Sequence, residues 1–97
     1  MRSPRPFPGR SLTTRAFWEC FGNLSNEDKD QARDAHRLWL ENPRLPGLRF
    51  KKVHARRPIY SVRVNLSNRA VGILDGDDMV WFWIGPHDDY EALFKRL

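Results

Sequence analysis

Ninety-seven residues, 40% of them hydrophobic and 12% aromatic, suffice for one packed core and leave no room for a second. Cys20 is the single cysteine, which excludes an internal disulfide framework and a multi-cysteine zinc site and fits a reducing, cytoplasmic setting. The formal net charge is +5, and no stretch approaches the roughly 20 apolar residues of a bilayer span, so no membrane partner is expected.

The amino terminus, MRSPRPFPGRS, holds Pro4, Pro6, Pro8 and three arginines by residue 10. It lacks the apolar run of a signal peptide, and the expectation is a flexible basic arm over 1–10 ahead of a domain over 11–97. Phe17, Phe21 and Leu24 then recur at i, i+4 and i+7, one stripe of a helix over about 15–23 with Thr13 or Thr14 as cap. Ser25 suits the N-cap of a second helix, with Glu27 and Asp28 in its first turn. Ala32, Ala35, Leu38 and Trp39 form the inward face of that helix. Asn42-Pro43 ends it, because a residue before proline avoids the α region. The two helices form an antiparallel hairpin.

Beyond Pro43 the period changes to two. Leu48 and Phe50 alternate with charged residues, which predicts a first long strand. Tyr60, Val62 and Val64 alternate with Ser61 and Arg63 in a second. Asn65 to Asn68 is a hairpin loop, and Arg69 to Leu74 the returning strand. Asp75-Gly76-Asp77-Asp78 turns the chain again. Met79 to Ile84 is apolar on both faces, the mark of an interior strand. Trp81, Phe82 and Trp83 are therefore core rather than a platform for stacking bases. Gly85-Pro86 breaks the strand, and Asp88 or Asp89 starts a short terminal helix that turns Leu93, Phe94 and Leu97 inward. A short strand near Ser11 to Thr13 could pair with the aromatic strand. The fold class is α+β: a helical hairpin on one face of a three- to four-stranded antiparallel sheet, a short C-terminal helix, and an open second face.

Charge is unevenly placed. From Asn42 to Leu74 there are eight lysines and arginines and no acidic residue. Such a block draws polyanions, whether nucleic acid or an acidic protein, and is also ordinary dressing for an exposed sheet face. Lys51, Lys52, Arg56 and Arg57 are the candidates for contact with such a polyanion. His36, His54 and His87 have no metal-ligand spacing, Cys20 no activating partner, and there is no glycine-rich phosphate loop. No metal or cofactor is expected.

The run IYSVRVNLSNRAVGILDGDDMVWFWIGPHDDYEALF resembles the carboxy-terminal half of RelE/ParE superfamily toxins. The shared features are a basic strand residue (Arg63), a hairpin leading to Arg69 and Val71, an acidic turn, an apolar strand ending in Gly85-Pro86-His87, and Tyr90. Upstream, WLENPRLPGLRFKKV is similar to the family's helix end and following strand. The resemblance implies the toxin of a type II toxin–antitoxin system with a cognate antitoxin as partner. Some members cleave mRNA in the ribosome without metal, by attack of the ribose 2′-hydroxyl on the adjacent phosphorus. Carried over by position, Arg63 and Arg69 would hold the phosphate, His87 would act as acid or base, and Tyr90 would stack on or orient a base. Lys51, Lys52, Arg56 and Arg57 would form the RNA- and ribosome-binding, or antitoxin-facing, surface rather than a catalytic one. ParE-type members instead inhibit gyrase without catalysis, and a degenerate member could retain antitoxin binding alone. Ser61 stands where the family often has a second basic residue, and Asp88 and Asp89 flank the implied site.

Overall fold

The computed structural model describes residues 6–97. The elements in chain order are β1 (Ser11–Thr13), α1 (Arg15–Gly22), α2 (Asn26–Glu41), a 3-10 turn (Pro46–Leu48), β2 (Lys51–Lys52), β3 (Ile59–Arg63), β4 (Asn68–Asp75), β5 (Asp78–Pro86) and α3 (His87–Arg96). Both hairpin helices start where the sequence places them. The Thr14 hydroxyl accepts from the Phe17 amide at 3.1 Å, and the Ser25 hydroxyl from the Asp28 amide at 3.1 Å. Each cap satisfies an amide that has no partner within its helix.

The sheet has five strands in the order β1-β5-β4-β3-β2. This is one more than the upper expectation, and the extra pairing is parallel: β1 runs alongside β5, Ser11 opposite Met79 and Thr13 opposite Trp81. The other neighbours are antiparallel. The expected long strand from Leu48 is not formed. Pro46 and Gly47 wind the chain into the 3-10 turn that buries Leu48, and Arg49 follows in the left-handed region at φ 46°. Only Lys51 and Lys52 remain extended enough to pair.

Two apolar clusters lie on opposite faces of the sheet. Under the helical hairpin, Ala32, Ala35 and Trp39 pack with Leu48, Val62, Ala70, Met79, Trp81 and Ile84. On the other face, Ile59 and Val71 pack under Leu93 of α3, with Phe82, Trp83, Tyr90 and Phe94 around them. The second face is therefore half closed by α3 rather than open, as the sequence suggested. A register shift makes both clusters possible. Gly72 faces Trp81 while Val71 faces Trp83, so Phe82 is the extra residue of a β-bulge. The bulge resets the alternation: Trp83 turns toward α3 and Ile84 returns to the hairpin side.

The packing of the domain also begins earlier than Ser11. The Phe7 ring lies 4.4 Å from that of Trp39, and the Phe7 amide donates to the Leu40 carbonyl at 3.0 Å. A β-carbon on Gly9 would fall on the Asp77 carbonyl oxygen, and Arg10 pairs with Asp78 at 2.8 Å. Residues 1–5 of the expected arm lie outside the described residues.

Ser11 ties β1 to both layers. Its hydroxyl accepts from the Trp81 indole at 2.9 Å and lies 2.8 Å from Nε2 of His36 on α2. The His36 ring lies parallel to Trp39, at 6.3 Å and 16°. Desolvation there lowers its pKa below the ordinary histidine value, although much of the residue is exposed.

Two predictions follow from these contacts. Phe7→Ala should lower the unfolding free energy by about 1–2 kcal/mol, the value of a partly buried aromatic ring. Urea denaturation measures it, and an unchanged midpoint would mean that the segment carries no packing energy. For His36, the unfolded chain binds a proton more readily than the folded one. Its contribution is thus present at neutral pH and is lost as pH falls below about 6.5 toward the lower folded value. His36→Gln should flatten the urea midpoint between pH 7.5 and pH 5, whereas an equal acid loss in both proteins would assign that loss to other groups.

Candidate functional site

The α3 face of the sheet can be read in rows across the strands. Cross-strand pairs put Ile59 opposite Ile73, Ser61 opposite Val71, and Arg63 opposite Arg69. Lys51 is opposite Ser61, and on β5 Trp83 and Gly85 lie opposite Val71 and Arg69. One row is therefore apolar, the next runs Lys51, Ser61, Val71, Trp83, and the third brings Arg63, Arg69 and Gly85 together. Directly opposed residues share a face, so the two arginines project side by side.

α3 packs over Ile59, Ile73, Val71 and Trp83 of the first two rows and begins beside the third. Its start is held by the His87 amide, which donates to the Ser67 carbonyl in the β3–β4 loop at 2.7 Å. Asp88 and Asp89 occupy its first turn, where the helix dipole favours negative charge, so part of the acidic flank has a structural use. Tyr90 lies beneath. Its ring is parallel to His87 at 5.8 Å and 13°, edge-on to Phe94 at 4.6 Å, and 6.4 Å from Trp83. Its hydroxyl donates to the buried Ser61 hydroxyl at 3.3 Å. The Trp83 indole lies so close over Gly85 that a β-carbon there would come within 2.9 Å of the ring. That glycine leaves room for the indole beside the arginine row.

Arg69 has two jobs. Its Nη1 donates to the carbonyls of Asn65 at 2.8 Å and Asn68 at 3.0 Å, which leaves Nε and Nη2 for a ligand. The loop it grips is fastened to α2, since the Asn65 amide nitrogen donates to Asp28 and Gln31. Burial lowers the Arg69 pKa, neighbouring Arg63 lowers it further, Tyr90 opposes the shift, and Arg49 adds to it. Among the described residues, no ion pair neutralises Arg49, Arg63 or Arg69.

The structure thus brings Arg63, Arg69, His87 and Tyr90 to one end of the α3 face. It does not gather the four candidate contact residues. Lys51 shares that face through Ser61, whereas Lys52, opposite Tyr60, points to the hairpin side. Arg56 and Arg57 sit in the bend before β3, at the far end of that strand from Arg63, where both their amides donate to Nδ1 of His54 at 3.1 and 3.0 Å. Sequence reading missed Ser61 as the partner of Tyr90 and Arg49 as a neighbour of the arginines. The register needed to find Ser61 was implicit in the alternation of β3, but Arg49 gave no signal.

On the opposite side of the molecule, a cleft of about 290 Å³ opens between α1, α2 and the sheet, lined by Phe17, Trp18, Phe21, Trp39, Trp81 and Ile84 among others. Trp18 at its rim is 54% exposed.

The ParE-like toxin domain family matches residues 29–92, which include all of α3 through Tyr90 and both arginines. The chain belongs to that family. Its fold is that of RelE-like toxins. It superposes on E. coli YafQ with a TM-score of 0.68 at 12% identity, covering 89% of this chain and 98% of that one. A free double mutant of E. coli RelE gives 0.65 at 15% identity, covering 96% and 99%. The toxin of a RelB–RelE antitoxin–toxin complex from Methanococcus jannaschii gives 0.65 at 13%, covering 86% and 98%. No curated protein matches in sequence. Among the described residues, no helix is long and apolar enough to cross a membrane.

Tyr90→Phe should cost about 0.5–1.5 kcal/mol, because it removes the described partner of the buried Ser61 hydroxyl. A urea titration reads this directly, and stability equal to the parent would show the 3.3 Å contact to be idle.

Proposed function

We propose that this chain is the toxin of a type II toxin–antitoxin pair, and that it cuts mRNA on the ribosome by 2′-hydroxyl attack without metal. The observation that supports this reading is the opposed pair Arg63–Arg69, uncompensated by carboxylates and set beside His87 and Tyr90.

Cleavage of this kind forms a bond from the 2′-oxygen to phosphorus and breaks the bond from phosphorus to the 5′-oxygen. The 2′-hydroxyl loses a proton and the leaving oxygen gains one. Negative charge grows on the phosphoryl oxygens between these events, and fixed cations aimed at them lower the barrier. Arg63 and the free edge of Arg69 are suited to that work, because guanidinium forks bind phosphate through paired hydrogen bonds. His87 supplies the imidazole that takes or gives a proton in these steps. Tyr90 supports it: with one ring face along His87 and its hydroxyl on Ser61, it holds the imidazole in place. That differs from base stacking, the role carried over from the family. Lys51, on the same face, supplies further charge for the RNA backbone.

The antitoxin is the expected protein partner, by analogy with the RelB–RelE complexes among the similar structures. The apolar cleft beside Trp18 suits its anchoring side chains. A second reading, gyrase inhibition without catalysis, is favoured by the ParE-like character of the matched family.

Expression in bacteria tests both readings. Under the first, Arg63→Ala and His87→Ala each reduce ribosome-dependent mRNA cleavage about 10²-fold or more and relieve growth arrest. Undiminished toxicity in the double variant, together with inhibited supercoiling by purified gyrase, would sink the nuclease and support the inhibitor.

A further inference from the structure

β3 outruns its neighbour. β2 pairs only Lys51 with Ser61 and Lys52 with Tyr60, so among the described residues no strand covers the outer edge of β3 at Val62 and Arg63. A longer β2 would have closed that edge. Instead Pro46–Leu48 winds into the 3-10 turn and Leu48 is drawn into the core. A cavity of about 390 Å³ remains between this turn, α2 and the end of β3. Small-ligand sites begin at roughly 300 Å³, so the space is large enough for one.

The lining has two characters. Leu38, Leu48 and Val64 give it apolar walls, while Gln31 and Asp34 of α2 and Arg63 of β3 bring polar groups. Gln31, Asp34 and Leu38 share the cavity because they are three and four residues apart on one helix face. Gln31 is already engaged, with its oxygen accepting from the Asn65 side chain and its nitrogen donating to Glu27 at 3.5 Å. Asp34 and Arg63 are not. Opposite in charge, they line the same space, yet among the described residues no ion pair joins them to each other or to any other group. Arg63 also belongs to the opposed pair with Arg69, so the cavity opens at the edge of the proposed phosphate site.

A flat, apolar-faced group that offers donors to a carboxylate and an anion to a guanidinium suits these walls. Among the four RNA bases only guanine carries two adjacent donors on its Watson–Crick edge, N1–H and the 2-amino group, which match the two oxygens of a carboxylate. Adenine and cytosine set an acceptor beside a donor on that edge, and uracil flanks its donor with acceptors. An ionised carboxylate only accepts, so it repels those acceptors. Proteins that read RNA by sequence take hold of bases lifted from the stack in this way.

We propose that this cavity seats one unstacked guanine of the substrate RNA, with Asp34 accepting from N1–H and the 2-amino group while Arg63 holds the adjoining phosphate. The inference rests on the RNA-cleaving reading and adds a base preference to it. An arginine or lysine side chain of a protein partner, which would also satisfy Asp34, is the competing occupant.

Fluorescence anisotropy with 2′-O-methyl RNA oligonucleotides, which lack the attacking hydroxyl, reads binding apart from chemistry. The probes differ at a single central position, guanine, inosine or adenine, in an otherwise all-adenine strand. The parent should bind the guanine probe about tenfold tighter than the adenine probe, the discrimination of one paired base contact. Inosine, which lacks the 2-amino group, should fall between them. Asp34→Asn should remove the preference for guanine over adenine. The ratio is the readout because loss of a carboxylate strengthens the binding of every polyanion alike. Asp34 is exposed, so the thermal midpoint of the variant should match the parent. Equal parent affinity for the three probes, or a preference that survives Asp34→Asn, would overturn the guanine seat and leave the nuclease reading intact. No preference, together with binding of an apolar peptide carrying one arginine that Asp34→Asn abolishes, would give the cavity to a protein partner instead. A guanine preference lost in Asp34→Asn, in a parent that does not cut mRNA on ribosomes, would keep the seat and overturn the nuclease alone.

Discussion

The arrangement of the α3 face depends on one irregularity, the bulge at Phe82. An unbroken β5 would send Trp83 toward the helical hairpin and Ile84 toward α3. The extra residue reverses this: Ile84 fills the first cluster opposite Ala70, Trp83 enters the second opposite Val71, and Gly85 comes opposite Arg69. The bulge thus serves packing and site geometry together. It lets a single strand supply large aromatics to both faces, and it places a residue without a side chain where the indole of Trp83 must pass beside the arginine row. Removing it would misplace every β5 side chain beyond Trp81.

Much of this architecture was legible in the sequence, for identifiable reasons. Helix limits were set by local chemistry at Thr14, Ser25 and Asn42, and local chemistry is what a sequence displays. The strands β3 to β5 declared themselves by alternation and by the Asp75–Asp78 turn. What escaped depended on contacts between distant segments. The docking of Phe7 needs Trp39, and the closure of α3 needs Ile59 and Val71 already side by side. The expected strand at Leu48 failed for a subtler reason. Leu48 and Phe50 do point inward as alternation requires, but Pro46-Gly47 and a left-handed Arg49 achieve this through a turn. Alternation over only two apolar residues cannot tell these conformations apart.

The site divides in the same manner. Arg63 and Arg69 were visible as polar interruptions of apolar strands, and their pairing follows from the hairpin between them. Separating Lys51 from Lys52 requires the register of an edge strand only two residues long. The link between Tyr90 and Ser61 joins a helix to a strand, and no local pattern announces it. Ser61 is also the position where the family resemblance implied a second basic residue. Here Lys51, directly across the ladder on the same face, returns a cation to that neighbourhood from the next strand.

The arginine row raises a question of stability that the fold itself answers. Two unit charges about 5 Å apart repel by roughly 3 kcal/mol at an effective dielectric of 20, comparable with much of a small domain's stability margin. Arg63 and Arg69 are nevertheless held opposite each other by the β3–β4 register. Arg69 is further restrained by two loop carbonyls, which accept from Nη1 and offset part of its charge. Those carbonyls belong to a loop anchored on α2 through Asn65, so the helical hairpin on one face stabilises charge on the other. The repulsion is therefore absorbed by covalent and hydrogen-bonded geometry rather than by neighbouring carboxylates. A carboxylate would neutralise the arginines more cheaply, but it would also compete with any phosphate. A charge restrained by neutral carbonyls stays available to an anion, and the proposed phosphate-holding role of the two arginines depends on that availability.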